Sequence, residues 1–236
     1  STFINIMINI IYAVGLNLIL GVAGQFSLGH AGFIAIGSYS GAILGKMMNG
    51  LPGLFAGMAV GVLISVVIAF LVGLPTLRLK GDYLAIATLG VAEIIRVAVT
   101  NMKITNGAAG ISGVPLTNTW TITYIALVLT TILILNYTFS SAGRATYAVL
   151  QDEIAAESMG VQVTKYKILA FVLGAATASI GGTLSATTLG AVTPSDFTFM
   201  KSIDVLIIVV FGGIGSFTGS FVAAVLLGII NLVLQP

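Results

Sequence analysis

The sequence predicts an all-α, polytopic bundle of transmembrane helices with broken or re-entrant segments, on three observations. Of 236 residues, 58% are hydrophobic and only 7% charged, against about 25% charged in an ordinary soluble domain. Several continuous apolar runs approach or exceed the roughly 20 residues that a helix needs to cross a bilayer. The runs lack the two-residue alternation of a membrane barrel, so helices follow and strands do not.

The first run, Ile4 to Leu20, has no basic region before it and no small-residue cleavage site after it, which marks a span and not a signal peptide. A glycine-rich interruption, Gly21-Val-Ala-Gly-Gln-Phe-Ser-Leu-Gly-His-Ala-Gly32, separates it from the second run, Phe33 to Met48. That run carries Gly37, Gly41 and Gly45, and the third, Leu54 to Leu74, opens around Gly53, Gly57 and Gly61. Glycine every four residues lays bare backbone along one helix face and lets helices approach closely in lipid. The stripes serve either packing within the subunit or contact with a second membrane subunit. The fourth run, Leu84 to Val99, holds Glu93 and Arg96 three apart on one face. Glu93 falls about 15 Å above the start of its helix, near the bilayer centre, where ionised groups are costly unless paired or wet. The two residues either line a path for a polar solute or form an internal salt bridge that locks two helices.

After the fifth run, Ile122 to Phe139, comes the longest polar stretch, Ser140 to Lys167, with three of the seven acidic residues, Asp152, Glu153 and Glu157. Ala155 and Ala156 favour helix and Gly160 suits a helix stop. Residues Ala145 to Gly160 therefore read as one short helix on the membrane surface, either docking to a soluble partner or structural. A sixth run, Ile168 to Leu189, precedes a last apolar region, Val205 to Leu234, interrupted by Phe211-Gly-Gly-Ile-Gly-Ser-Phe-Thr-Gly219. This region either crosses once as a broken span or dips and returns.

Irregular backbone at membrane depth survives only where protein or a wet cavity satisfies its polar groups. The two interruptions are either ordinary interfacial turns or candidate path elements, with Gln25, Ser27 and His30 in the first and Gly212, Gly213 and Gly215 in the second. Gly24-Gln25-Phe26-Ser27 also echoes Gly215-Ser216-Phe217-Thr218, as expected when two structural repeats each supply a broken helix. No hydrophilic segment divides the chain, so residues 1–236 read as one domain.

Arg78, Lys80, Arg144, Lys165 and Lys167 fall on one side of the predicted spans and Lys46, Lys103 and Lys201 on the other, which puts the first group in the cytoplasm. A net charge of +2 does not suit a nucleic-acid binder. With no cysteine and one histidine, His30, the chain has no thiolate or histidine-based metal site. The run Ser40-Gly-Ala-Ile-Leu-Gly-Lys-Met47 lacks the first glycine and the final Ser/Thr of a nucleotide loop. No Gly-x-Ser-x-Gly elbow surrounds Ser27, so no catalytic residue is expected.

Four segments in order then become recognisable: Gly15 to Phe33; Arg78-Leu-Lys-Gly-Asp-Tyr-Leu-Ala-Ile-Ala-Thr-Leu-Gly90 with Glu93-Ile-Ile-Arg96; Asp152-Glu-Ile-Ala-Ala156 with Gly160; and Val209-Val-Phe-Gly-Gly-Ile-Gly-Ser216. Together they resemble the branched-chain amino acid permeases of bacterial ATP-binding-cassette (ABC) importers, most closely the M-type subunit. The resemblance implies a multi-pass protein of the bacterial inner membrane that is not itself an enzyme. Its partners would be a homologous second permease, two cytoplasmic ATPases and an extracytoplasmic binding protein for leucine, isoleucine or valine. ATP and Mg would bind in the ATPases, with no cofactor in this chain. Asp152, Glu153, Ala155, Ala156, Glu157 and Gly160 would form the coupling helix, with the acid of the importers' Glu-Ala-Ala signature one place early, at Glu153. The loop Thr105 to Pro115, with Asn106, Gly107 and Gly110, would face the binding protein. Transport would proceed by alternating access. The same architecture carrying urea, a short amide or an aromatic acid is the alternative, and an ATP-independent transporter or channel a lesser one.

Overall fold

A computed structural model describes residues 2–48 and 50–234. Its helices are α1 (Thr2–Asn17), which runs on as a π-helical turn (Leu18–Val22), α2 (His30–Met47), α3 (Leu51–Thr76), α4 (Asp82–Asn101), α5 (Trp120–Phe139), α6 (Ser141–Gln151), α7 (Glu153–Ser158), α8 (Val163–Leu189), α9 (Phe199–Gly212) and α10 (Phe217–Leu234). A two-stranded antiparallel ribbon pairs β1 (Ile111–Ser112) with β2 (Ala191–Val192). Five helical segments are long and apolar enough to cross a membrane: Thr2–Val22, α3, α4, α5 and α8.

The second expected run, Phe33 to Met48, is not among them. Its helix, α2, carries His30, Ser38, Tyr39, Ser40 and Lys46 and packs against α3, α8 and α4. A helix enclosed by protein need not be apolar all round.

Small residues place α2 there. The positions that α3 buries are Gly53, Leu54, Gly57, Gly61, Ser65, Ala69 and Gly73; Met58 and Ile68 are partly buried against the core, and the exposed positions carry large side chains such as Phe55, Leu63, Phe70 and Leu71. A methyl carbon on Gly57 would lie 2.7 Å from Gly41 Cα, one on Gly53 3.1 Å from Gly45 Cα, and one on Gly61 3.2 Å from Gly37 Cα. The α3 stripe thus packs on the α2 backbone inside the subunit, while Gly37 and Gly41 of α2 turn to α8, where an added methyl would overlap the Ser179 carbonyl or lie 2.8 Å from Thr183 Cγ2. Between α2 and α8, Ser38 Oγ donates to the Gly182 carbonyl and Thr183 Oγ1 to the Gly37 carbonyl, both at 2.9 Å. Such packing and hydrogen bonds hold helices together where lipid offers no hydrophobic driving force. Phe33 meets Phe171 edge-on at 5.7 Å in the core.

One end of the bundle gathers Lys80, Lys167 and Glu153. At the other, Lys46 Nζ donates to the Ser112 carbonyl beside the ribbon. The last segment dips and returns: α9 and α10 are bent by 119°. α10 then runs back along α1, with Ser220 at Asn17 and Gly228 against Ile6.

The surface element expected as one helix over Ala145 to Gly160 is two, α6 and α7. Asp152 is extended (φ −155°, ψ 110°), and its carboxylate accepts from the Ile154 and Ala155 amides. That N-cap starts a new helix instead of continuing the old one. Gly160 ends α7 at φ +83°, with Val161 N–H donating to the Ala156 carbonyl and Gly160 N–H to that of Glu157, a Schellman stop.

Gly57→Leu is expected to force α2 and α3 apart and lower the thermal midpoint of the detergent-purified protein by several degrees. Gly90→Ala, at a helical position with no heavy atom within 4 Å of the added methyl, should leave the midpoint unchanged or slightly raised.

Candidate functional site

The two interruptions meet around Asn17, a fully buried amide on α1. Its Oδ1 accepts from Gly215 N–H at 2.8 Å, and its Nδ2 donates to the Ser216 carbonyl at 2.9 Å and to Ser220 Oγ at 3.0 Å. One side chain therefore satisfies the backbone of two successive residues inside the α9–α10 break. The π-helical turn begins at the next residue and carries Gly21 against the same break, where a methyl group would overlap the Gly215 backbone. π turns place an extra residue in a helix and are frequent at functional sites.

Ala23 to Gly29 form the first break, and side chains from other elements satisfy it. Leu28 N–H donates to Thr88 Oγ1 of α4 at 3.1 Å. Ala31 N–H, in the first turn of α2, donates to Ser202 Oγ of α9 at 2.9 Å. Ser27 Oγ accepts from Gly29 N–H at 3.3 Å, and Gln25 Nε2 donates to the Lys167 carbonyl of α8 at 3.1 Å. Buried His30 packs edge-on to Tyr12 at 6.5 Å. Gln25 Oε1, His30 Nε2 and Tyr12 Oη have no hydrogen-bond partner among the described residues. Gln25, Ser27 and His30 are thus spread along the first break, Gln25 at the start of α8, Ser27 on Gly29 and His30 against Tyr12, and Gly212, Gly213 and Gly215 lie at the second break. The four-residue echo has a conformational counterpart, since Gly24 (φ +66°) and Gly215 (φ +87°) are both left-handed.

Glu93 and Arg96 are placed elsewhere. Arg96 Nε donates to both carboxylate oxygens of Glu93 at 3.0 Å, and Glu93, Ile94 and Val97 are exposed. The expectation of a lock between two helices is corrected. The pair lies within α4, because side chains three apart on one helix reach each other without a second element.

At the basic end, Glu153 bridges Lys80, at 2.7 Å, and Lys167. Burial alone would raise its carboxyl pKa, but the two ammonium groups outweigh that and hold it below its usual range. Ala156 is buried beneath α7, whereas Ile154 (77% exposed) and Met159 (84%) stand out from it. Asp152 caps the helix, and Ala155, Glu157 and Gly160 are exposed. At the opposite end, Asn106 (φ +61°) donates from Nδ2 to the Gly110 carbonyl at 3.0 Å. Gly107 (φ +62°) follows it in the turn, and Gly110 abuts Val192 too closely to admit a side chain.

Sequence reasoning assigned no role to Asn17, Thr88, Ser202, Ile154 or Met159. Asn17 had a visible signal, a carboxamide inside an apolar run four residues before Gly21. The two hydroxyls had none, because they act on backbone distant in sequence.

A family described as branched-chain amino acid transport system permease components matches residues 1–235. The high-affinity branched-chain amino acid transport system permease protein LivM of Salmonella typhimurium is 38% identical over 94% of this chain and 60% of its own length. LivM of Escherichia coli is 37% identical over the same shares. The permease protein LivH of the same system in Escherichia coli is 34% identical over 47% of this chain and 34% of its own length. The chain thus spans about 60% of the length of its LivM relatives. No solved structure matches it.

Replacing Asn17 by Leu leaves the Gly215 amide without its partner, at about 1–3 kcal/mol for each buried group stranded. Hydrogen exchange across residues 213–220 should rise at least tenfold, whereas Ser220→Ala, which removes one acceptor, should change it only slightly. Because the Glu153 carboxyl is held below its ordinary 4.5, its bridges are complete at neutral pH and are lost as pH falls through the lowered value. Exchange in α7 should therefore stay flat from neutral pH down to 4.5 and rise only below it, after correction for the intrinsic rate.

Proposed function

This chain belongs to the family of branched-chain amino acid transport system permease components, and on that premise we propose that it is the transmembrane permease subunit of an ABC importer for leucine, isoleucine or valine. It is a multi-pass membrane protein, and in this reading it lies in the bacterial inner membrane with its basic end in the cytoplasm. Its partners are a homologous second permease, two ATPases and an extracytoplasmic binding protein. ATP and Mg bind in the ATPases, so the chemistry of hydrolysis is theirs.

The observation that carries this reading is Lys167. Its ammonium holds Glu153 of α7, and its carbonyl receives Gln25 of the first break. A displacement of the exposed helix α7 thus has a two-bond route to irregular backbone inside the bundle. From there Leu28 N–H reaches α4, and Ala31 N–H reaches α9, which leads into the second break. Ile154 and Met159 are the apolar contacts α7 offers to an ATPase groove. ATP-driven closure of the ATPases would bias the two breaks between two arrangements, one open to each side.

The exposed ion pair on α4 supports the second permease. Charges at mid-membrane depth are costly in lipid and belong against protein or a wet path, so the Glu93–Arg96 face is where the homologous subunit packs. The Thr105 to Pro115 loop, at the other end, faces the binding protein.

Ile154→Asp and Met159→Glu should each abolish co-purification with the ATPases while leaving the thermal midpoint of the permease unchanged. Lys167→Met should instead keep the complex assembled and hydrolysing ATP but cut leucine uptake into proteoliposomes at least tenfold. If Ile154→Asp and Met159→Glu leave assembly intact, α7 is not the docking element.

A further inference from the structure

Two cavities lie side by side at the end of the bundle remote from α7. The larger, about 440 Å³, is lined with polar groups from four helices, among them Asn5, Asn9, Tyr12, Ser185, Lys201 and Asn231. The smaller, about 260 Å³, shares Tyr12, Ser185, Leu189 and Lys201 with it and adds Asp196 and the apolar side chains of Ile34, Val192 and Phe197. A space of that size suits a small solute, since pockets for drug-sized ligands run from about 300 to 1,000 Å³.

The polar groups that line the smaller cavity are left open in a particular way. Lys201 Nζ sits 5.6 Å from the centre of the Tyr12 ring and has no carboxylate within 4.0 Å among the described residues. Asp196 uses Oδ2 to accept from the Thr193 amide and hydroxyl, at 3.0 and 2.7 Å, and its Oδ1 accepts nothing among the described residues. Tyr12, 1% exposed, has a hydroxyl with no partner there either. Asp196 is exposed to solvent and Lys201 half-buried, while the Tyr12 hydroxyl is buried, and a buried polar group without a partner costs free energy until something pairs with it. One ammonium, one carboxylate and one phenol thus border an aliphatic and aromatic hollow.

We propose that the smaller cavity is a binding subsite for a zwitterionic amino acid with an apolar side chain. Lys201 and Tyr12 Oη take its carboxylate, Asp196 Oδ1 takes its ammonium, and its side chain lies among Ile34, Val192 and Phe197. The inference rests on the amino-acid cargo named above and adds a location in this chain, at the end where the binding protein would deliver. A subsite there gives the permease its own selection for both charges of the solute.

The absence of native cysteine makes a direct test clean. Ser185→Cys places one thiol on the shared wall, and Ser112→Cys places one on the exposed loop as a control. The complex, reconstituted in nanodiscs without binding protein, is labelled with a small methanethiosulfonate reagent, and modification of this chain is followed by mass. Leucine at millimolar concentration is expected to slow labelling of the 185 thiol at least fivefold and leave the 112 thiol unaffected. Leucinamide, which lacks the carboxylate, and 4-methylpentanoate, which lacks the ammonium, should give no protection. Adding Lys201→Gln or Asp196→Asn should abolish protection by leucine at the 185 thiol, while the 112 thiol labels as it does without them. Equal labelling with and without leucine overturns the subsite, as does protection that survives Lys201→Gln or is given equally by leucinamide. Leucine uptake by the wild-type complex is measured alongside. Uptake without protection removes the subsite and keeps the cargo, whereas protection without uptake of leucine, isoleucine or valine removes the cargo and keeps the subsite.

Discussion

Everything near the middle of this molecule depends on a demand that lipid makes of a polypeptide: no amide or carbonyl can be left without a partner there. Asn17 meets that demand for the turn between α9 and α10. A carboxamide suits the place because it presents an acceptor and two donors on one rigid plane, and the turn offers an amide on one side and a carbonyl and a hydroxyl on the other. Gly21, one turn further on, lets the Gly215 backbone come close enough to be reached. The clamp and the close approach require each other, and together they fix where α10 can double back along α1.

The rest of the bundle answers a second demand. With hydrocarbon on the outside, burying leucine is no advantage, and helices cohere through fit and hydrogen bonds. α3 turns its row of small residues inward and many of its large ones, Phe55, Leu63, Phe70 and Leu71 among them, out. α5 and α8 bury threonines whose hydroxyls donate back to carbonyls three or four residues earlier. α2, pressed between bare backbones, can carry serine and tyrosine because it meets protein on most sides.

This explains what could be read from the residues and what could not. Long apolar runs, glycine at fours and glycine-rich interruptions are local patterns, so the apolar helices, their close packing and the positions of both breaks were legible, but not which neighbour each glycine stripe meets. Whether the last region crosses or returns was not, because that turns on Asn17, about two hundred positions away along the chain. The pairing of Glu93 with Arg96 was visible, but its exposure was not, since one sequence says nothing about which face of α4 the bundle covers. The division of the surface element at Asp152 was missed because alanine-rich helix propensity outweighed the capping signal of an aspartate just before it. The polar wall around Lys201 was hidden for a different reason, as its members come from α1, α8, α9 and the turn before α9.

The double hold on Lys167 has a mechanical consequence. Its carbonyl belongs to α8, a stiff rod, but its ammonium hangs on four flexible methylenes. Such a linkage behaves as a rope and not as a strut. Drawing α7 away from the bundle pulls the stem taut and loads α8, and through it the side chain of Gln25. Pressing α7 inward only slackens the stem, so the connection passes tension and ignores compression.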